Sequence, residues 1–294
     1  MIYPGKREIT EAYLGTKRVI KMALGDAMMW EIPIIHFADQ AVKALCVSNW
    51  GGNVVEGEIT NGEAEAVTSL GGVFMERTDI KTFNELMFFT GLTSLRIEGT
   101  SASNSKGEFY GCTNLESVKL PTINLSSIRI DAAFRNTRIA ELDLRPFGNT
   151  KTNLQAVLTS NAEITKVYLP KIVNTPLTWA FRYCSSLTIL DASEGSDWSA
   201  VARYSDFVGG CTSLTTITGT ITGIGASVTT ASYTPNFSSC PLTADSAMVI
   251  LNGLADLTGK TQKTLTLSST TKSALTAAGI DYDALAAAKN WTIE

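Results

Sequence analysis

The chain has 294 residues, 44% hydrophobic and 18% charged, a composition that buries a large core and excludes a disordered polymer. With 24 basic against 28 acidic side chains and a net charge of -4, it lacks the basic surplus needed to grip a phosphate backbone, so nucleic acid is not expected as a partner. No apolar run reaches the ~18 to 20 residues of a membrane span, and the opening MIYPGKREIT lacks the basic-then-apolar order of a secretory leader.

Taken in chain order, residues 9–31 hold a short duplication, ITEAYLGTKRV followed by IKMALGDAMMWE, in which Leu14-Gly15-Thr16 and Leu24-Gly25-Asp26 recur. Both triplets predict tight hairpin turns between short strands. Four such strands make a marginal unit. Its apolar residues, Met22, Met28, Met29 and Trp30, predict docking onto the first repeat or onto another chain. Pro33 then marks the passage into the next region.

From there a period governs the chain. FYGCTNLESVKLP (109–121), FRNTRIAELDLRP (134–146), FRYCSSLTILDAS (181–193) and FVGGCTSLTTITG (207–219) share the skeleton F-x-x-C-x-x-L-x-x-L-x-L, with a weaker copy at LTSNAEITKVYLP (158–170). The first aliphatic of each skeleton falls at Val42, Val67, Leu92, Leu115, Ile139, Ile164, Leu187 and Leu214, with steps of 25, 25, 23, 24, 25, 23 and 27. Pairs such as Val118 and Leu120, Leu142 and Leu144, or Val167 and Leu169 alternate, so each points to one side of a short strand. One strand cannot bury that side alone, which predicts repeats stacked into a parallel sheet with a continuous aliphatic ladder. Phe109, Phe134, Phe181, Phe207 and Phe237 are expected to plug the opposite side.

Cys112, Cys184 and Cys211 each stand three residues before the register aliphatic, and Thr137 and Asn161 take the same slot elsewhere. That slot calls for a small group that hydrogen-bonds backbone at a tight turn. The odd number of cysteines and the single His36, expected at a strand end or in the core, argue against disulfide, metal or nucleophilic roles.

Beyond residue 240, PLTADSAMVILNGLADLTG (241–259) has helical periodicity with Thr243 or Asp245 as a cap, and KTLTL (263–267) reads as a strand. The pattern recurs as YDALAAAKN and WTIE (282–294), so Leu265 and Leu267, then Trp291 and Ile293, are expected to continue the ladder. The expected fold is α/β: a leucine-rich repeat solenoid with a parallel sheet on its concave face. Its parts are a β-hairpin anchor at 1–33, the solenoid at 34–240, and capping helix-strand repeats at 241–294.

The F-x-x-C-x-x-L-x-x-L-x-L-P repeats resemble those of BspA-like leucine-rich repeat proteins of gut anaerobes. Residues 36–95 look like the N-terminal module of that group, and LADLTGKTQKTLTL looks like its C-terminal module. The YLGTKRV and ALGDAMMWE duplication is similar to N-terminal segments of phage and prophage structural proteins. Together with the absence of a leader, this resemblance implies a virion component, in the tail, baseplate or fibre, or alternatively a bacterial surface adhesin. It implies partners among other virion proteins through residues 1–33, attachment to a host surface protein or glycan, and a homo-oligomer, with a trimer by analogy to phage fibres.

Two candidate sites remain. The residue between the two ladder aliphatics is Arg96, Lys119, Asp143, Tyr168 and Asp191 in successive repeats. Strands spaced about 4.8 Å apart would spread this column over roughly 20 Å, long enough for several sugar units or an extended peptide. Its bland alternative is a solvated ladder with Lys119 and Asp143 paired across strands. The second candidate, WGGNVVEGEITNGEA, resembles a degenerate calcium loop with Glu56 at position 5, Gly57 at 6 and Glu63 at 12. It lacks oxygen ligands at positions 1 and 3, so no metal is expected. Paired carboxylates at Asp191 and Glu194 or Asp281 and Asp283 sit where caps and solvated charges are ordinary, and no phosphate loop or triad is present. No enzymatic activity and no cofactor are expected.

Overall fold

The structure, a computed structural model, describes residues 13–14, 17–18, 21–24, 27–95, 106–174 and 176–294, with backbone alone up to residue 31. Both expected hairpins form: β1 (Tyr13–Leu14) pairs antiparallel with β2 (Lys17–Arg18), and β3 (Lys21–Leu24) with β4 (Ala27–Glu31). The side chains of Met22, Met28, Met29 and Trp30 lie outside the described part.

The next region departs from the repeat reading. Helix α1 (Gln40–Trp50) starts at Asp39, whose carboxylate accepts from the Ala41 and Val42 amides. Helix α2 (Asn61–Glu65) starts at Thr60 in a capping box with Glu63. Val42 and Val67 are buried as the period required, but Val42 lies inside α1 and Val67 follows α2. The spacing of 25 found core positions and assigned them to the wrong element. His36 is exposed just before α1, not a core residue.

Strand repeats begin with β5 (Thr82–Phe83), which pairs in parallel with β6 (Ser117–Val118), Phe83 opposite Val118. The register residue of this repeat is therefore Ile80. Phe74-x5-Ile80-x2-Phe83 copies the spacing of Phe109-x5-Leu115-x2-Val118. Leu92, the mark expected here, is buried, but the strand-like contact after it runs elsewhere, with Ser94 bridging Arg129 and the Leu95 amide donating to the Arg129 carbonyl.

Three further strands, β7 (Ser127–Arg129), β9 (Lys151–Asn153) and β11 (Val173–Asn174), make one parallel sheet. Another joins β8 (Glu141–Asp143), β10 (Lys166–Tyr168), β12 (Ile189–Asp197) and β13 (Thr216–Thr222), with Leu142, Val167, Leu190 and Ile217 in register and buried. This is the aliphatic ladder, four strands long. Strands β12 and β13 are long enough to reach both sheets: Ser196 pairs with Ile221, and Ile172 bridges Asp197. Residues 219–222 are thus the second half of strand β13. The parallel strands divide between sheets and do not form one concave face.

Turns connect the sheets and bond to each other from repeat to repeat: the amides of Phe109, Phe134, Leu158 and Phe181 donate to the carbonyls of Ala133, Val157, Ala180 and Phe207 at 2.7–3.0 Å. The five expected phenylalanines are fully buried behind these turns. Phe109 and Phe134 stack at 5.4 Å, and Phe207 meets Phe237 edge-on at 5.1 Å. Leu158 fills the Phe place in the weaker copy. The slot before the register aliphatic works as its chemistry suggested. Cys112, Cys184 and Cys211 Sγ each donate to a carbonyl of the preceding repeat, on Phe74, Leu158 and Phe181, at 2.8, 3.2 and 3.0 Å. Asn161 reaches the Thr137 hydroxyl and the Ile139 carbonyl. All five cysteines are buried and free, and burial pushes the Cys112 and Cys211 thiols up to about 12.

At the C-terminal end the ladder does not continue as expected. Helix α3 (Ala244–Gly253), capped by Thr243, takes the place beside β13, with Ser246 Oγ accepting from the Ile217 amide. Strands β14 (Asn236–Phe237), β15 (Lys263–Leu267) and β16 (Trp291–Ile293) form their own parallel sheet. Helix α4 (Ser269–Ala277), absent from the sequence reading, starts at Ser268, and α5 (Tyr282–Ala287) at Asp281. One apolar core runs from Ile35 to Trp291.

Inside that core Glu108 is fully buried; its Oε2 accepts from the Gly72 amide at 2.8 Å, whereas Oε1 has no partner. Burial pushes its carboxyl up to about 7. A carboxyl that ionises more readily unfolded than folded weakens the fold as pH rises from about 4.5 to 7, with no further loss above that window. Glu108→Gln is expected to flatten this part of the stability-pH profile and to gain about 1 to 3 kcal/mol at pH 8, as measured by urea titration at pH 5 and 8.

Candidate ligand-binding cleft

The ladder is interrupted at one place, and the reason is countable. Between slot residue and register aliphatic the step is three at Cys112–Leu115, Asn161–Ile164, Cys184–Leu187 and Cys211–Leu214, but two at Thr137–Ile139. In the neighbouring repeats the amide after the register aliphatic bonds the preceding repeat: Glu116 to Lys81, Thr165 to Ala140, Thr188 to Thr165. In the short repeat the Arg138 amide bonds Leu115 instead, and β6 and β8 are not hydrogen-bonded. Leu144 donates to Tyr168, which by parallel alternation turns the peptide groups of Glu141 and Asp143 toward the gap.

A cleft of about 580 Å³ opens there, with Met87, Val118, Leu120 and Pro146 as apolar walls and Lys119, Glu141, Asp143, Arg145 and Tyr168 as polar ones. Its size is that of small-ligand sites. Of the expected column, the structure brings Lys119, Asp143 and Tyr168 to this cleft. Asp191 pairs beside Tyr168 one strand further on. Arg96 lies outside the described residues.

Strong ion pairing organises the column. Arg145 grips Asp143 in bidentate fashion at 2.9 and 2.7 Å, and Lys166 Nζ stands 3.0 Å from Asp191 Oδ2. Burial would raise both carboxyls, but hydrogen bonds from Arg145 outweigh it and hold Asp143 below the usual range, and those from Ser193 and Lys166 hold Asp191 at about 2. The cationic heads of Arg145 and Lys166 each lie 4.0 Å from the centre of the Tyr168 ring. The column thus differs from the expectation of an open stacking ring between two free acids: cations already cover the ring, and Asp143 pairs with Arg145 rather than with Lys119. Lys119 and Glu141 are exposed and make no ion pair among the described residues. Arg145, Lys166 and Met87 were missed from sequence, although Arg145 follows Asp143 at the i+2 position that a turn carboxylate bonds.

The calcium-like loop is closed by protein donors. Glu63 Oε1 accepts from the Asn53 and Val54 amides at 3.1 Å, and Oε2 from the Thr60 amide and hydroxyl at 2.8 and 2.9 Å. Gly57 has φ +72 and Glu56 is exposed. The carboxylate that a cation would need holds the loop instead. The paired carboxylates are also employed: Glu194 stands 3.8 Å from Lys171, and Asp281 caps α5.

No helix among the described residues is long and apolar enough to cross a membrane. No curated protein matches the chain. Residues 82–204, which hold β5 through β12, the cleft and the slots at Cys112, Thr137, Asn161 and Cys184, match six copies of the BspA type leucine rich repeat region, so this part of the chain is similar to BspA-like leucine-rich repeat proteins.

Proposed function

We propose that the protein is a non-enzymatic interaction protein whose repeats form an open solenoid presenting the cleft and its flanking column to a partner. The observation that carries this reading is the interrupted ladder: the short repeat leaves Lys119, Glu141, Met87 and the unpaired edge of β8 facing solvent at a place where neighbouring repeats seal one another. Repeat stacks of this kind are interaction scaffolds by construction, since each repeat adds area to one extended surface.

The N-terminal hairpin duplication supports a place in a phage or prophage particle, as a tail, baseplate or fibre component, with residues 1–33 as the anchor to other subunits or to further copies. Attachment to a host surface protein or glycan is the role this assigns to the repeats. A purely structural subunit is the second reading, favoured by the ion pairs that already cover Tyr168. Two variants separate them. A chain lacking residues 1–33 is expected to stay folded but to disappear from purified particles by mass spectrometry. Lys119→Ala with Tyr168→Ala is expected to assemble normally while attachment to host cells falls at least tenfold. Unchanged attachment by the assembled double variant would leave the structural reading.

A further inference from the structure

Five of the turns that stack along the molecule share a backbone device: two residues four apart in left-handed conformation. The pairs are Gly72 and Glu76, Ala132 and Asn136, Ala156 and Ser160, Trp179 and Tyr183, and Asp206 and Gly210, with φ between 49° and 82°. Small or flexible polar residues suit that conformation, and bulky aromatics pay for it in steric strain. Only one repeat uses aromatics at both positions. Trp179 and Tyr183 are also exposed, by 39% and 54%, so neither strain nor exposure is repaid by the core.

Their surroundings are small side chains and backbone on either turn, with one acid at Asp206. Hydrogen bonding between turns sets Ala156 and Ser160 on one side and Ser205 and Gly209 on the other. A side chain at Gly210 would place its Cβ 2.8 Å from Tyr183 Cδ1, so the glycine leaves that ring its seat. Between the rings stands Arg182, its guanidinium carbon 4.6 Å from the Tyr183 centroid and 5.7 Å from that of Trp179. Its Nη2 donates to Tyr183 Oη at 2.9 Å, and its Nε lies 3.7 Å from Asp206 Oδ2. The guanidinium has five N–H donors, so several remain for a ligand. Cations over rings recur along the turns, with Arg135 and Lys106 at Tyr110 and Arg203 at Tyr233, on a chain whose net charge is -4.

We propose that Trp179, Arg182 and Tyr183 form a binding platform for an acidic oligosaccharide, one carrying a sugar carboxylate. Aromatic rings offer faces to the C–H side of a pyranose, and the planar fork of Arg182 takes the carboxylate in bidentate geometry. A protein hot spot would be ringed by contacts that exclude water; here the matching positions of the flanking turns hold Ala156, Ser160, Asp206 and Gly210, none of them large and apolar, which suits a solvated chain of sugars. The platform rests on the attachment role proposed above and adds to the cleft a second contact on the turns.

The test uses the full chain against matched probes: sialyllactose with lactose, and trigalacturonate with its methyl ester, by calorimetry. The acidic member of at least one pair is expected to bind at least tenfold more tightly than its neutral counterpart. Trp179→Gly with Tyr183→Gly should lose that binding at least tenfold while the melting temperature holds or rises, because glycine relieves both left-handed positions. Trp179→Asn serves as a second variant if the pair fails to fold, and Arg182→Lys should lose the preference for acid over ester. Binding of neither acidic probe, or unchanged binding by the folded variants, overturns the platform. Trp179-dependent binding of poly-glutamate with no sugar bound would assign the patch to an acidic protein and overturn it too. Absence of the protein from particles, with the platform still binding sugar, would fail the virion reading alone.

Discussion

Leu142→Asp is expected to unfold the strand repeats. Leu142 is fully buried in the ladder, in register with Val167 of β10. The substitution removes roughly 1.5 to 3 kcal/mol of burial and sets a carboxylate in the aliphatic ladder, where a charge without a partner is costly. The sum, on the order of 5 kcal/mol or more, rivals the net stability of an ordinary domain. Circular dichroism is expected to show loss of the cooperative melt at room temperature, whereas Leu142→Ala should lose only about 2 to 5 kcal/mol and still fold. A melting curve unchanged by the aspartate would remove the ladder from the account.

Gly219→Ala is expected to cost nearly as much for a different reason. Gly219 lies in β13 with φ +80, and a Cβ there would stand 2.1 Å from the Ala192 carbonyl oxygen and 2.3 Å from its carbon. Backbone cannot give way as a flexible side chain can, so β12 and β13 must separate. Gly195, at the irregularity in β12, offers an internal control: its φ is also +80, yet nothing lies within 4 Å of its Cβ position. Gly195→Ala is expected to cost only the left-handed strain, roughly 1 to 2 kcal/mol, and Gly219→Ala at least about 3 kcal/mol. Equal midpoints for the two variants in urea would contradict the close approach.

Much of the fold was legible because its determinants are local. The aliphatic alternation, the phenylalanine plug and the cysteine slot each repeat at a fixed offset, and from Leu115 to Leu214 each register mark lands where the strands require it. What was hidden depended on competition between periods. In 36–67 the cap at Asp39 and the i, i+4 pair Val42 and Cys46 favour a helix, and a count of 25 residues cannot see that. Ile80 was missed because its slot holds Arg77 in place of a cysteine, although Phe74 and Phe83 carry the remainder of the skeleton. The division into two sheets was not readable, since β7, β9 and β11 lie in the stretches between the skeleton copies, where no repeated spacing marks a strand.

For the site, the spacing brought out Lys119, Asp143 and Tyr168 as a column but not the cleft. The clue was present: a step of two at Thr137–Ile139 among steps of three, noticed only when each slot is measured against its own aliphatic. Of the cations over Tyr168, Arg145 lies beyond such counting because it reaches the ring from past the end of β8, whereas Lys166 stands two residues before Tyr168 on the same face of β10.

Amide hydrogen exchange reads the interrupted ladder most directly. In the intact repeats, the amides of Val167, Leu190 and Leu169 are expected to exchange slowly, as ladder donors between packed strands do. Along β8 the protection should alternate, slow at Leu142 and Leu144, which face β10, and fast at Glu141 and Asp143, which face the cleft. Uniform slow exchange from 141 to 144 would mean that β6 and β8 are zipped together in solution, and the cleft beside Lys119 and Tyr168 would not exist.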